Sequence, residues 1–227
     1  LAPARSLAPA TLAGFTAATG VTVDLAHPPA SPIQGYDLVV ASVPALIQFT
    51  ERGWVRELEP MDSTLPLEQR VYDPFNTFSL PAARGVIGVN TRGLPPPDSW
   101  AEFFQLARTQ PAHLPAAETF RAALKSLGHS INTRNSYARA DAQSLVFGLQ
   151  SFPLEDATLA LSHPLGDGWT FTLPAEGAES WEDCYCVPTG SQHPDLARAF
   201  IKFALAVQPL ASLPQDSLEP LSPFVGA

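Results

Sequence analysis

Ser180-Trp181-Glu182-Asp183-Cys184-Tyr185-Cys186-Val187-Pro188 is the stretch that decides how the chain is read. It places a tryptophan and two acids directly before a short alternating strand, with a helix due to begin at Pro194. An earlier stretch, Gly85-Val86-Ile87-Gly88-Val89-Asn90, reads as a strand punctuated by glycine, where another backbone approaches closely. Together the two describe a chain that leaves one lobe, builds a second and returns. A pocket is expected between the lobes, with Trp181 and Asp183 at its edge.

Working back from this stretch, Pro9 to Thr19 reads as a helix with Pro9 in its first turn, Leu12 and Phe15 on one face, and Gly20 as its stop. Val21, Val23 and Leu25 alternate with polar residues and predict a half-buried strand, followed by a proline-rich loop over 27–35. Asp37-Leu38-Val39-Val40 is a short apolar run suited to a strand covered on both faces. Ser42 then caps a helix carrying Leu46, Ile47 and Phe49 and ending at Gly53. This order predicts an α/β layer with parallel strands. Ligands sit beyond the carboxyl ends of such strands, which singles out Ala4 to Ser6 and Ser42. Capping is the plainer role for Ser42, and the two roles are compatible because a helix N-terminus offers free N–H groups.

In the middle of the chain, 62–76 is irregular and Pro95-Pro96-Pro97 is a stiff linker. Ser99-Trp100-Ala101-Glu102 is a capping box that starts a helix with Phe103 and Phe104. Helices are predicted over 116–127, with Phe120, Leu124 and Leu127 at helical spacing, and over 136–149. Strands are predicted over 158–161, 169–173 and 183–187, and a final helix from Pro194 turns Leu196, Phe200 and Phe203 inward. The tail after Gln208, with Pro209, Pro214, Pro220 and Pro223, is expected to drape over a surface.

Composition narrows the function. The chain has 227 residues, 45% of them hydrophobic and 15% charged, with a net charge of -9. Nucleic acid is excluded as a partner, because phosphate binding needs clustered Lys and Arg. No apolar run reaches the roughly 18 to 20 residues that span a bilayer. No export signal is visible, and any such signal is expected to have been removed or cropped before Leu1. Cys184 and Cys186 lie on one face of a strand but too far apart to bridge, so they read as buried small apolar residues. A Cys-x-Cys metal pair would need two further ligands nearby, and no metal or cofactor is expected. None of the familiar hydrolase, metalloprotease or nucleotide-binding motifs occurs. Ser162-His163 is a local candidate for a Ser–His pair, and His163 reads as a loop residue; Glu155 and Asp156 read as solvated acids. Nothing demands an enzyme, and no catalytic residue is assigned.

In this order the motifs resemble the periplasmic solute-binding proteins of ABC importers, and within them the spermidine/putrescine-binding family. The resemblance is carried by Phe15 to Val23, Tyr36 to Ser42, Ser79-Leu80-Pro81 with Gly85 to Asn90, Asp98 to Phe103, and Trp181 to Pro188 with the helix Leu196 to Phe203. It implies an α/β, two-lobed periplasmic-binding-protein fold of type II, with lobes joined by crossing hinge strands. The first lobe would be 1–88 plus 187–227 and the second 89–186. The implied function is capture of a small polar solute in the inter-lobe cleft and its delivery to the membrane permease of an ABC importer. A polyamine-like cation is the first solute expected. A monomer is implied, periplasmic or extracellular, or tethered to a membrane through a removed N-terminal signal.

By the same resemblance, Trp181 and Asp183 fall where the family places a Trp and an Asp that contact the polyamine. An aromatic face attracts an ammonium and a carboxylate pairs with it. Ser42 matches a polar pocket residue, Ser6 stands near the family's aromatics after the first strand, and Arg84 stands near a further aromatic position. Arg5 and Arg84, facing the cleft, would instead favour an anionic solute. The plainer readings are a packing aromatic for Trp181, a backbone cap or surface acid for Asp183, and a surface arginine for Arg84. Because part of the family's aromatic set is replaced, a sensor or interaction module without a transport role is the alternative function.

Overall fold

The computed structural model describes residues 7–26, 33–58, 78–207 and 218–220. In chain order its elements are α1 (Pro9–Thr19), β1 (Val39–Ser42), α2 (Val43–Glu51), β2 (Leu80–Thr91), α3 (Trp100–Ala107), β3 (Ala112–His113) and α4 (Ala116–Ser126). They continue with α5 (Ser136–Val146), β4 (Leu159–Ser162), β5 (Thr170–Thr172), β6 (Ala178–Cys186), α6 (Pro194–Val207) and β7 (Leu218–Pro220). Most of the loop expected over 27–35, the irregular stretch 62–76, and Arg5 and Ser6 lie outside the described residues. The chain divides into two compact units: Leu1–Arg84 with Glu182–Ser212, and Gly85–Trp181 with Leu213–Ala227. β2 and β6 each run from one unit into the other.

In the first unit, β1 pairs with the second half of β6 in the register Val39–Cys186, Val40–Tyr185, Ala41–Cys184 and Ser42–Asp183. The pair is antiparallel; the first strand of the parallel layer expected for the opening of the chain lies outside the described residues. A local apolar run records that both faces are covered; it does not record the direction of the neighbouring strand. Opposed residues share a face, so this ladder has two apolar sides. Val39, Ala41, Cys184 and Cys186 pack with Leu46 of α2, Ile33 and Val55. Val40 and Tyr185 pack with Phe15 of α1 and with Phe200 and Ile201 of α6. Both cysteines are buried and are not joined in a disulfide, as their spacing predicts.

The helices of this unit follow their caps. α1 begins at Pro9 and ends where Gly20 takes φ 73°, a conformation only glycine adopts without strain. α6 buries Ala197, Phe200, Ile201, Ala204 and Leu205, one stripe of a 3.6-residue repeat. Leu196, expected to face inward, stands one residue off this stripe and is 42% exposed. The strand expected over Val21 to Leu25 is a correction: the described residues there join no ladder. The alternation reported burial instead, since Val21 and Val23 pack against the α1–α6 core.

In the second unit, β2 pairs antiparallel with β4 (Gly88–Ser162 to Thr91–Leu159) and with β5 (Val89–Thr172 to Thr91–Thr170). β3 adds in parallel to β4, and β7 in parallel to the first residues of β6. The core gathers Val89, Leu159 and Leu161 from the strands with Trp100, Phe103 and Leu124 from the helices. Half of the capping box forms as read, with Ser99 Oγ accepting from the Glu102 N–H at 3.2 Å; the return bond goes one residue earlier, Glu102 Oε2 accepting from the Asp98 N–H at 2.8 Å. The carboxylate of Glu176 takes the Trp100 N–H, and Trp100 Nε1 donates to the Gly177 carbonyl at 2.7 Å. These bonds fasten the turn that launches β6 onto the start of α3. Leu127, placed on the α4 stripe by its spacing, lies just beyond the helix end and is 40% exposed. Within the tail expected to drape, Leu218–Pro220 is a strand.

Candidate functional site

Trp181 is the last residue of the second unit before β6 enters the first. Its indole is half-buried and packs against the second unit's core. It lies on Gly85 of β2: a Cβ there would stand 2.6 Å from Cζ2 and 2.8 Å from Cε2. Real Cβ atoms do not come that close, so the ring occupies the space that the missing side chain leaves. The residue as a whole keeps partial exposure.

Asp183 and Ser42 are brought together by the β1–β6 ladder, where they are register partners. Opposed antiparallel residues hold their Cβ atoms about 4.5–5.5 Å apart on one face. Ser42 occupies the N-cap position of α2 with extended backbone, φ -63° and ψ 153°, yet its hydroxyl makes no capping bond. The side chain is half-buried, while Asp183 has no exposure at all. Two residues on, Tyr185 is buried deeply enough that its phenol is pushed up to about 12. Its ring packs in the apolar face with Phe15 and Phe200.

Arg84 is half-buried on β2, immediately before Gly85. Ser162 and His163 do not form a catalytic pair: Ser162 Oγ donates to the main-chain oxygen of His163 at 2.7 Å. Asn90 Nδ2 donates to both residues at 3.1 Å, and Asn90 Oδ1 accepts from the Leu165 N–H, so this buried amide holds the loop after β4. Glu155 and Asp156 are exposed in a short turn, as read from the sequence. Among the described residues no group of three His, Cys, Asp or Glu is arranged to hold a metal ion. No helix among them is long and apolar enough to cross a membrane.

Sequence reasoning missed the seat of Trp181 on Gly85, although the glycine itself was a visible signal. It also missed Asp37, whose Oδ1 accepts from the N–H groups of Gln192 and His193 and from the Ser191 hydroxyl at 2.8–3.0 Å, ahead of α6. Burial pushes the Asp37 carboxyl up. The bonds from His193, Ser191 and Gln192 and the His193 charge outweigh that and hold it below its ordinary value of 3.8.

No family model matches the chain. A putrescine/cadaverine-binding protein of Pseudomonas aeruginosa is 26% identical over 223 residues, covering 78% of this chain. The chain spans 62% of that relative's length. Among solved structures, the spermidine/putrescine ABC transporter substrate-binding protein PotD of Streptococcus pneumoniae superposes with a TM-score of 0.70 at 17% identity, covering 90% of this chain and 76% of its own. The binding protein AgtB of A. tumefaciens, solved with agropinic acid, superposes with a TM-score of 0.67 at 16% identity, covering 85% and 71%. The chain therefore has the α/β fold of the substrate-binding proteins of ABC transporters. Within that class it resembles, at low identity, proteins that bind polyamines, and the relatives named are binding proteins rather than enzymes.

Proposed function

We propose that the protein is the extracytoplasmic solute-binding component of an ABC importer, and that its solute is a small polyamine-like cation. The observation that carries this reading is the half-buried Trp181 seated on Gly85, two residues before the buried Asp183, in a chain with this fold. An indole face and a carboxylate are what an alkylammonium needs, the first for cation–π attraction and the second for a charge-assisted hydrogen bond. Putrescine and cadaverine are named for the relative from Pseudomonas aeruginosa, which supports starting with diamines. The protein would work as a monomer in the periplasm or outside the cell and pass its solute to a membrane permease.

A solute that binds only the folded state raises the melting temperature by mass action. Putrescine, cadaverine and spermidine are each expected to raise it, and Trp181→Ala to abolish the rise. A flat response to every amine sinks the polyamine assignment. A second reading, an anionic solute held through Arg84 and Arg5, is favoured by the agropinic acid complex of AgtB. Carboxylates in the same thermal panel distinguish it.

A further inference from the structure

Glu179 of β6 and Glu219 of β7 are register partners in a parallel pair, which sets two carboxylates side by side. Alone they would repel one another. α4 supplies two cations one helical turn apart to meet them. Arg121 grips Glu179 with two parallel bonds, Nε to Oε2 at 2.6 Å and Nη2 to Oε1 at 2.9 Å. Lys125 Nζ reaches Glu219 Oε2 at 3.2 Å. The other oxygen of Glu219 accepts from the Ser130 hydroxyl and from Asn132 Nδ2, the latter at 3.2 Å. The main-chain N–H of Ile131 bonds to the same carboxylate. Ser130 Oγ also accepts from the Asn132 N–H at 3.0 Å, which fixes the turn that carries these donors.

Two features make this more than a surface ion pair. The Glu219 side chain is only 22% exposed and Lys125 17%, so the contact is made mostly out of water. Burial pushes the Glu219 carboxyl up, and the bonds from Ser130, Lys125 and Ile131 outweigh it, so the site favours the charged form. β7 is three residues long, too short for its ladder alone to hold it firmly. The donors, in contrast, come from α4, eleven residues long, and from the turn after it, which the Asn132 N–H closes on Ser130 Oγ. We infer that Lys125, Ser130, Asn132 and the Ile131 N–H form a carboxylate socket for an extended acidic segment added in parallel to β6. The chain's own Leu218-Glu219-Pro220 fills this socket in cis. Recognition is by strand addition, with the main chain supplying adhesion and the glutamate supplying specificity. The inference does not depend on which solute the protein carries.

The test uses the full chain. In the Glu219→Lys variant the cis segment is repelled from Lys125 and the socket is left open. A fluorescent synthetic peptide of residues 214–224 is expected to bind this variant and not the unaltered protein. Binding should be lost when Lys125→Met is added or when the peptide carries Gln for its Glu. Raising the salt from about 0.05 to about 0.5 M should weaken it. In parallel, Glu219→Gln should speed amide hydrogen exchange over residues 178–180 by about tenfold, the scale of a lost hydrogen bond to a charged group. Unchanged exchange in Glu219→Gln overturns the socket. So does a Glu219→Lys chain with an unaltered near-ultraviolet circular dichroism spectrum that takes up no peptide.

Discussion

Trp181 lies so close against Gly85 that a Cβ at position 85 would stand 2.6 Å from the indole Cζ2. The ring is held by the second unit's core, so an added methyl can be housed only by displacing it. Gly85→Ala is expected to destabilise the protein by about 1–3 kcal/mol, the usual range for overpacking. Chemical denaturation measures that loss. If Trp181 receives the amine, displacing the ring also weakens amine binding, which isothermal titration reads directly. A variant with the midpoint and affinity of the unaltered protein would show that the ring yields at no cost.

Gly88, three residues further along β2, gives a contrasting case. A Cβ there would stand 2.6 Å from the main-chain oxygen of Thr172 on β5 and 2.7 Å from Cζ of Phe171. A backbone atom within a ladder has less room to retreat than a ring edge. Gly88→Ala should therefore cost about 3 kcal/mol, the upper end of the overpacking range, while leaving the amine affinity of the remaining folded protein unchanged. Equal costs for the two substitutions would contradict this ranking.

Both glycines were legible as glycine punctuation of a strand, and the reading that another backbone approaches closely holds for Gly88. At Gly85 the neighbour is a side chain from far along the chain, and no local pattern announces which. The same division runs through the molecule. α1, α2 and α3 were readable because Pro9, Gly20, Gly53 and Ser99 act within a few residues of themselves. The direction of the β1–β6 pair, the addition of β7 and the hold of Asp37 on the turn ahead of α6 depend on residues distant in sequence. Ser42 and Asp183 were each singled out; that they face one another across a ladder was not in either stretch.

Asp37 makes a pH prediction. Its folded-state carboxyl is held below the ordinary value of 3.8, so the unfolded chain binds the proton more readily. The stability it contributes is present above that ordinary value and is lost as the pH falls through the lowered, folded one. Acid unfolding of the first unit should accordingly begin at higher pH in Asp37→Ala, which should also lose about 1 kcal/mol at neutral pH, the usual net worth of a hydrogen bond. Guanidinium titrations at pH 7 and at pH 3 measure both; a gap between variant and parent that widens on acidification would contradict the sign.

The Arg121–Glu179 pair is the most enclosed ion pair among the described residues, with side chains 16% and 9% exposed. Removing the arginine leaves a carboxylate in a place that water barely reaches, and uncompensated charges of this kind cost about 3–5 kcal/mol. Arg121→Met should fall in that range. Adding Glu179→Gln should recover part of the loss, because the orphaned charge is then gone. A double-mutant cycle with no coupling would mean that the pair contributes nothing beyond its separate parts.

Asp183 separates the amine reading from a purely structural one. Asp183→Asn keeps the shape of the side chain and removes its charge at a position with no exposure, opposite Ser42. If the carboxylate pairs with an ammonium, the variant should lose about 10- to 150-fold in putrescine or spermidine affinity, since a hydrogen bond to a charged group is worth about 1.5–3 kcal/mol. Ser42→Ala, which removes a neutral hydroxyl, should lose less than about tenfold. A purely structural Asp183 gives the opposite pattern: the ligand-free melting temperature falls in Asp183→Asn while the rise on adding amine is kept. Melting curves with and without amine, recorded for the two variants and for Trp181→Ala, decide between them. Two results have to coincide for the carboxylate to be a ligand contact: an unaltered ligand-free midpoint and a lost amine response.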